Sequence, residues 1–412
     1  SSAASDVYKR QVVDVKFVVK GQFGAIVTGA TVTCGGKSKE TNLYGECILQ
    51  LTKGSYDYEV IHPDHYDAKG TVNVGTSAMS VNVKMNINPI AMKPEENGNI
   101  QMMLTGPSCS ISVNSPTADY EIDWGDGMTE NPSGTGSKSY PHTYGDNGLY
   151  QVEIRNCGDV TSCMASTSCL VAYWSIGGSK VSSISFSGCS KLIYFGKDMF
   201  KNDMNRTSVS YILSNCTSLT SVDLTPLSGL VNVTDAYRML YDCGNLTSVD
   251  LTPLSGWVNV TNASSLFEYC GNLTSVDLTP LSGWVNVTNT ANFLSNCTSL
   301  TSVDLTPLSG WVNVTDAYGM LYDCGNLTSV DLTPLSYWTK MTRNTILILG
   351  DSALSFITVL STTPFPLSSG ALTNGNSCPI YVPDEAVETY KTATNWSAYA
   401  SRIKPISEKT ES

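Results

Sequence analysis

The sequence predicts a mainly β chain: two β-sandwich domains, then a solenoid of stacked coils, then a C-terminal strand-and-helix cap. Three observations carry this prediction. Residues 12–175 hold short apolar runs with period-two alternation, separated by Gly, Asn and Asp clusters. Six cysteines, Cys189, Cys216, Cys243, Cys270, Cys297 and Cys324, follow one another at 27-residue intervals. From Cys216 through Ser336 one unit recurs almost unchanged, C-x-x-L-T-S-V-D-L-T-P-L-S-G-W-V-N-V-T-[DN] followed by seven variable positions.

Composition narrows the function classes. The chain has 412 residues, 15 % of them charged, against about 25 % in an ordinary globular protein. Ser, Thr and Asn supply the polarity instead. A net charge of −12 argues against nucleic acid or an anionic membrane as partner, since both reward an excess of Lys and Arg. No apolar run is long enough to span a bilayer. Residues 1–11, SSAASDVYKRQ, match nothing that follows and read as a non-native or disordered leader, similar to adapter read-through at the ends of metagenomic reading frames.

Residues 12–86 form the first expected sandwich, with VVDVKFVV, ATVTC, ECILQL, YDYEVI and VNVKM as its strands. Gly29-Ala30-Thr31-Val32, Thr41-Asn42 with Gly45, and Lys53-Gly54-Ser55-Tyr56 resemble the carboxypeptidase-regulatory-like β-sandwich, a surface-protein spacer. His62 and His65, with Asp64 and Asp67, are expected in a solvated loop rather than on a metal.

Residues 87–175 form the second. Trp124-Gly125-Asp126-Gly127, His142-Thr143-Tyr144 and Gly148-Leu149-Tyr150 resemble the polycystic-kidney-disease (PKD) domain, an immunoglobulin-like sandwich. In such a W-G-D-G stretch, Gly supplies a positive φ and Asp caps backbone N–H groups. Asp123, Asp126 and Asp146 are weak Ca²⁺ candidates by ligand chemistry; no other metal and no cofactor is expected.

Residues 176–362 are the repeats. A period of 20–29 residues with L-x-x-V-x-L spacing marks a leucine-rich-repeat solenoid. VNVTDAYRMLYDCGNLTSVDL resembles the BspA-like and bacterial surface protein 26-residue repeats, with one extra residue in the Ser-Gly-Trp turn. A seventh coil is expected to begin at Asp351, with Leu354 and Ile357 inward. Residues 363–412, containing IYVPDEAVETYKTATNWSAYASRIKPI, are similar to the segment that closes many BspA-like proteins. Such a cap covers an otherwise open edge and core.

Within the coil from Cys216, Leu219, Val222, Leu224 and Leu227 are expected inward, with a parallel sheet on that face. Ser221, Asp223 and Thr225 then point outward. Val231 and Val233 are also expected inward, and Ala236, Leu240 and Cys243 fall at helical spacing, predicting a short helix or 3₁₀ return. Stacking turns each position into a column. The cysteine column is expected to be buried free thiols, because in-register cysteines have poor geometry for a disulfide. Any disulfides are expected among Cys109, Cys157, Cys163 and Cys169. Asp223, Asp250, Asp277, Asp304 and Asp331 form an outward acidic column. At about 5 Å in water, neighbouring charges repel by only ~0.8 kcal/mol. Trp257, Trp284, Trp311 and Trp338 share the parity of the outward Asn, which predicts at least partly exposed indoles if the segment stays extended.

No catalytic constellation is present: no P-loop, G-x-S-x-G, H-E-x-x-H or nucleotide fingerprint. The resemblances imply a non-enzymatic bacterial surface or secreted adhesin, extracellular, that binds a host protein or glycan. The Trp257–Trp338 and Asp223–Asp331 columns are its expected contacts. A structural or receptor-binding part of a phage tail or appendage fibre is the second reading.

Overall fold

The computed structural model describes residues 12–117, 119–132, 134–342, 354–372 and 378–409. The leader and Asp351 lie outside the described residues. The chain is mainly β and builds several separate sheets.

Seven strands make the N-terminal unit: β1 (Val12–Gly21), β2 (Thr31–Cys34), β3 (Lys37–Glu40), β4 (Glu46–Thr52), β5 (Gly54–Ile61), β6 (Ala68–Val74) and β7 (Met79–Met85). They form two sheets, β4-β1-β7 and β3-β2-β5-β6. Alternation along β1 sends Val13, Val15, Phe17 and Val19 into one core with Val32, Leu49, Val60, Val72 and Val83. His65 is buried rather than solvated, which corrects the loop expectation. The backbone of residues 64–66 bonds to the connector at Asn86 and Asn88, and this pulls the ring inside.

Nine strands follow: β8 (Ile100–Thr105), β9 (Ser108–Ser115), β10 (Glu121–Asp123), β11 (Thr129–Glu130), β12 (Gly136–Thr143), β13 (Leu149–Arg155), β14 (Ser162–Ala165), β15 (Leu170–Ser175) and β16 (Tyr194–Phe195). Their sheets run β11-β10-β13-β8-β15-β16 and β12-β9-β14. β16 belongs to the first coil of the repeat region and pairs in parallel with β15. One hydrophobic core therefore continues from Ile100 through the repeats to Ile403.

The repeat region is a stack of 27-residue turns held by three ladders of backbone hydrogen bonds. Thr234, Thr261, Thr288 and Thr315 each donate their N–H to the threonine carbonyl one coil earlier, at 2.8 Å. Thr247, Thr301 and Thr328 do the same to Thr220, Thr274 and Thr301. The third ladder runs the other way. The N–H groups of Ala236, Arg238, Leu240 and Asp242 donate to Asn262, Ser264, Leu266 and Glu268 in the next coil, and later coils repeat the pattern.

Three local expectations are corrected. First, among the described residues of the L-T-S-V-D-L segments, only the last forms a strand, β17 (Ser329–Asp331). It starts a parallel sheet with β18 (Phe356–Thr358), β19 (Ile380–Val382) and β20 (Ile403–Pro405). Between the earlier coils the β pairing among the described residues is a column of single parallel bridges through Ser208, Asp235, Asn262, Asn289 and Asp316. Second, the 3₁₀ turn falls at T-P-L, as at Thr225–Leu227, where Pro presets φ at the first turn. The variable segment is not helical. Arg238 and Asp242 have φ of 53° and 54°, and the equivalent residues of the other coils are also left-handed. A left-handed residue every fourth position breaks the i to i−4 bonds and turns those N–H groups toward the next coil. Third, Val231 is exposed; only Val233 points inward.

The cap carries α1 (Val387–Thr392) between β19 and β20, which extend the parallel sheet begun by β17. Tyr390, Trp396 and Tyr399 fill its interior.

Candidate functional site: the outward faces of the repeat stack

Trp257, Trp284, Trp311 and Trp338 are fully buried, so the expected indole exposure is corrected. Parity would turn these rings outward only in an extended chain. Instead each Trp closes the 3₁₀ turn, as with Trp284 at φ −81° and ψ 50°, which swings the ring inward. The rings stack coil on coil with centroids 5.9, 6.2 and 6.4 Å apart. Each Nε1–H donates to a leucine carbonyl of the preceding coil, from Trp257 to Leu227 at 3.3 Å through Trp338 to Leu308 at 3.0 Å. No polar edge is left for a ligand. This column is core.

The cysteine column is core as well. Cys216, Cys243, Cys270, Cys297 and Cys324 are free and buried, and each thiol donates to a carbonyl 30 residues earlier at 3.2–3.3 Å. Burial pushes the Cys243 and Cys324 thiols up to about 12. Cys109, Cys157, Cys163 and Cys169 are also free. Cys169 differs. The neighbouring Cys109 thiol, helped by Ser166, outweighs burial and holds the Cys169 thiol below its ordinary value.

The acidic column stands outside. Asp223, Asp250, Asp277, Asp304 and Asp331 are exposed, and each accepts the N–H of the threonine two residues on, at 2.8–2.9 Å. The Thr252 and Thr279 hydroxyls, with these backbone bonds, hold Asp250 and Asp277 below the usual carboxylate range. One oxygen of each therefore caps the T-P-L turn, so the column has a structural task beside any other.

Asp123, Asp126 and Asp146 are engaged separately. Asp123 accepts from Gly125 N–H and pairs with Arg155; Asp126 takes Met128 N–H and His142 Nε2, the latter at 2.8 Å; Asp146 takes Gly148 N–H and the Tyr150 hydroxyl. Burial works to raise the Asp126 carboxyl, but the His142 and Met128 bonds win and lower it. Gly125 has φ +78°, and a Cβ there would come within 2.2 Å of the Gln151 carbonyl. The W-G-D-G stretch thus makes a capped turn, and among the described residues no three His, Cys, Asp or Glu side chains gather in a metal-holding group.

Two further surfaces were not singled out by sequence reasoning. On the variable face, the Arg238 guanidinium lies 4.5, 5.1 and 5.9 Å from the ring centres of Tyr241, Tyr237 and Tyr211. Tyr269 stands edge-on to Tyr241 at 5.4 Å. Burial raises Tyr241 above its ordinary value, with Arg238 pulling the other way. Glu268, beneath this cluster, is buried with one carboxylate oxygen unpartnered, as is Arg238 Nε. Tyr211, Tyr269, Tyr318 and Tyr322 are 38–43 % exposed, enough to offer ring edges to a partner. Arg238 and Lys340 are the only cations between Cys216 and Thr342. The second surface is a shallow groove of about 600 Å³ along the N-V-T triplets.

No family model matches this chain, and no curated protein sequence matches it. Among solved structures, the Bacillus anthracis TIE protein aligns at 13 % identity over 35 % of this chain and 31 % of its own, with a TM-score of 0.19. A streptococcal ancillary pilin aligns at 14 % identity over 35 % and 50 %, with a TM-score of 0.18. A leucine-rich repeat protein from Bacteroides thetaiotaomicron VPI-5482 aligns at 11 % identity over 91 % and 80 %, with a TM-score of 0.13. The chain thus spans about a third and a half of the first two. At these scores none of the three fixes a fold or a function.

Proposed function

We propose that this chain is a non-enzymatic, adhesin-like protein of the BspA-like leucine-rich-repeat type, with carboxypeptidase-regulatory-like and PKD-like sandwiches as spacers. It acts at a bacterial surface or outside the cell and binds a host protein or glycan through its repeat surface. The observation that carries this is the tyrosine–arginine cluster on the variable segment. Tyr and Arg are the side chains that dominate protein interfaces when rigidly held. Here the left-handed backbone and the inter-coil ladder hold them. The acidic balance of the repeats favours a partner with a basic rim. Among the described residues no helix is long and apolar enough to cross a membrane.

The test is binding of the chain to immobilised extracellular-matrix proteins, compared with an Arg238→Ala/Tyr269→Ala double variant. The proposal expects wild-type binding and at least a tenfold loss in the variant, with the melting curve little changed. Equal binding by both proteins would move the contact off this face.

A further inference from the structure

We propose that the N-V-T groove is a binding site for a linear, uncharged polysaccharide. This rests on the repeat surface being the binding surface, but on a face that does not include the tyrosine cluster.

The groove is lined by Asn259, Asn286 and Asn313, by Thr261, Thr288 and Thr315, and ends at Lys340, which takes the asparagine position in its coil. Every lining side chain is fixed by its neighbour. Asn259, Asn286 and Asn313 each donate one amide N–H to Val231, Val258 and Val285 carbonyls, at 3.3, 2.9 and 3.1 Å. Thr261, Thr288 and Thr315 donate their hydroxyls to the threonine carbonyl one coil back, each at 3.1 Å. What remains for a ligand follows from donor and acceptor counts. Each asparagine retains a second N–H and carbonyl lone pairs. Each threonine retains hydroxyl lone pairs. The Asn313 amide oxygen also accepts from Lys340 Nζ at 2.6 Å, which closes that end.

The chemistry selects the ligand. A groove that offers both donors and acceptors, with no carboxylate in its lining, suits sugar hydroxyls, which both give and take hydrogen bonds. An anionic polymer would meet the net negative charge of the chain and a single lysine. Val258, Val285 and Val312, each preceding a groove asparagine, are 44–49 % exposed and add an apolar strip for the C–H faces of a sugar ring. Because the same group recurs coil after coil, a polymer can engage several coils at once. Affinity should then rise with chain length until the groove is filled.

The test uses the whole chain with gluco- and manno-oligosaccharides of increasing length, and with polygalacturonate as the acidic control, read by calorimetry. Variants are Thr261→Val/Thr288→Val, which keeps shape and removes hydroxyls, and Val285→Lys, which places a charge beside the groove without touching any hydrogen bond. The inference expects binding of neutral oligosaccharides that strengthens with length, no binding of polygalacturonate, and at least a fivefold loss in both variants, with a cooperative melt retained in each and lowered only slightly in the threonine variant by its two lost inter-coil bonds. Absence of neutral-sugar binding overturns it, as does sugar binding that both variants retain, or a preference for the acidic polymer. The matrix-protein assay with Arg238→Ala/Tyr269→Ala reports on the other face, so the two readings fail separately.

Discussion

Trp284 lies flat against Trp311, ring centres 6.2 Å apart and planes within 6°, with no solvent reaching either ring. The pair links the Ser-Gly-Trp turns of two coils, and each indole N–H closes a hydrogen bond to the coil before it. A residue type often associated with ligand contact is here the spine of the stack.

Removing one ring from that spine should be costly. Trp284→Ala is expected to lower stability by about 3–5 kcal/mol through the cavity it leaves. Trp284→Phe should cost less than Ala but more than its area alone, because the inter-coil indole bond to the Leu254 carbonyl is lost, leaving that carbonyl only the Trp257 N–H. Chemical denaturation with an unchanged slope checks both.

The left-handed column gives a prediction of opposite sign. Ser265 has φ 56° and Gly319 φ 63° at equivalent positions. Ser265→Gly should stabilise by about 1 kcal/mol, since an L side chain is disfavoured there. Gly319→Ala should destabilise, because its Cβ would come within 2.4 Å of Asn292 Oδ1. Thermal melts of the two variants should move in opposite directions.

These positions also show what was legible in sequence. The 27-residue period places cysteine and leucine correctly inside, because an invariant apolar column in a stack has only the core to face. The tryptophan and Val231 directions depart from alternation because the segment that carries them turns. The T-P-L motif, with Pro at a 3₁₀ start, was the signal of that turn. The variable segment looked helical from Ala236, Leu240 and Cys243. Yet Asn215, Asp242, Asn296 and Asp323 recur at one position of it, and Asn and Asp are the non-glycine residues most tolerant of a left-handed backbone. The groove stayed hidden because its N-V-T triplets repeat with everything else; only the inter-coil hydrogen bonds show what they offer.

His65 makes the N-terminal unit sensitive to acid. Burial, reinforced by His62 and opposed by Asp64, lowers its imidazole to about 4, against 6.5 in an unfolded chain. Between those values the unfolded state binds the extra proton, so stability is complete above pH 6.5 and falls as pH drops toward 4. The loss should be on the order of 3 kcal/mol at most. Denaturation curves across that window should show it, and His65→Gln should flatten the dependence.

Thiol accessibility separates the cysteines. Cys216 through Cys324 should stay inert to a thiol reagent until the chain unfolds, since burial both shields and protonates them. Cys169, with its lowered pKa, should be the first to react in slow native labelling, and Ser166→Ala should slow it. Peptide mapping after partial labelling identifies the site.

The most direct test of the account is tryptophan accessibility. The chain has seven tryptophans, and Trp124, Trp174, Trp257, Trp284, Trp311, Trp338 and Trp396 are all below 2 % exposed. Acrylamide quenching of the native chain should therefore be weak and uniform, rising several-fold only with denaturation. A substantial fraction quenched in the native state, lost on replacing Trp284 and Trp311 together, would place that column at the surface and contradict the interior spine.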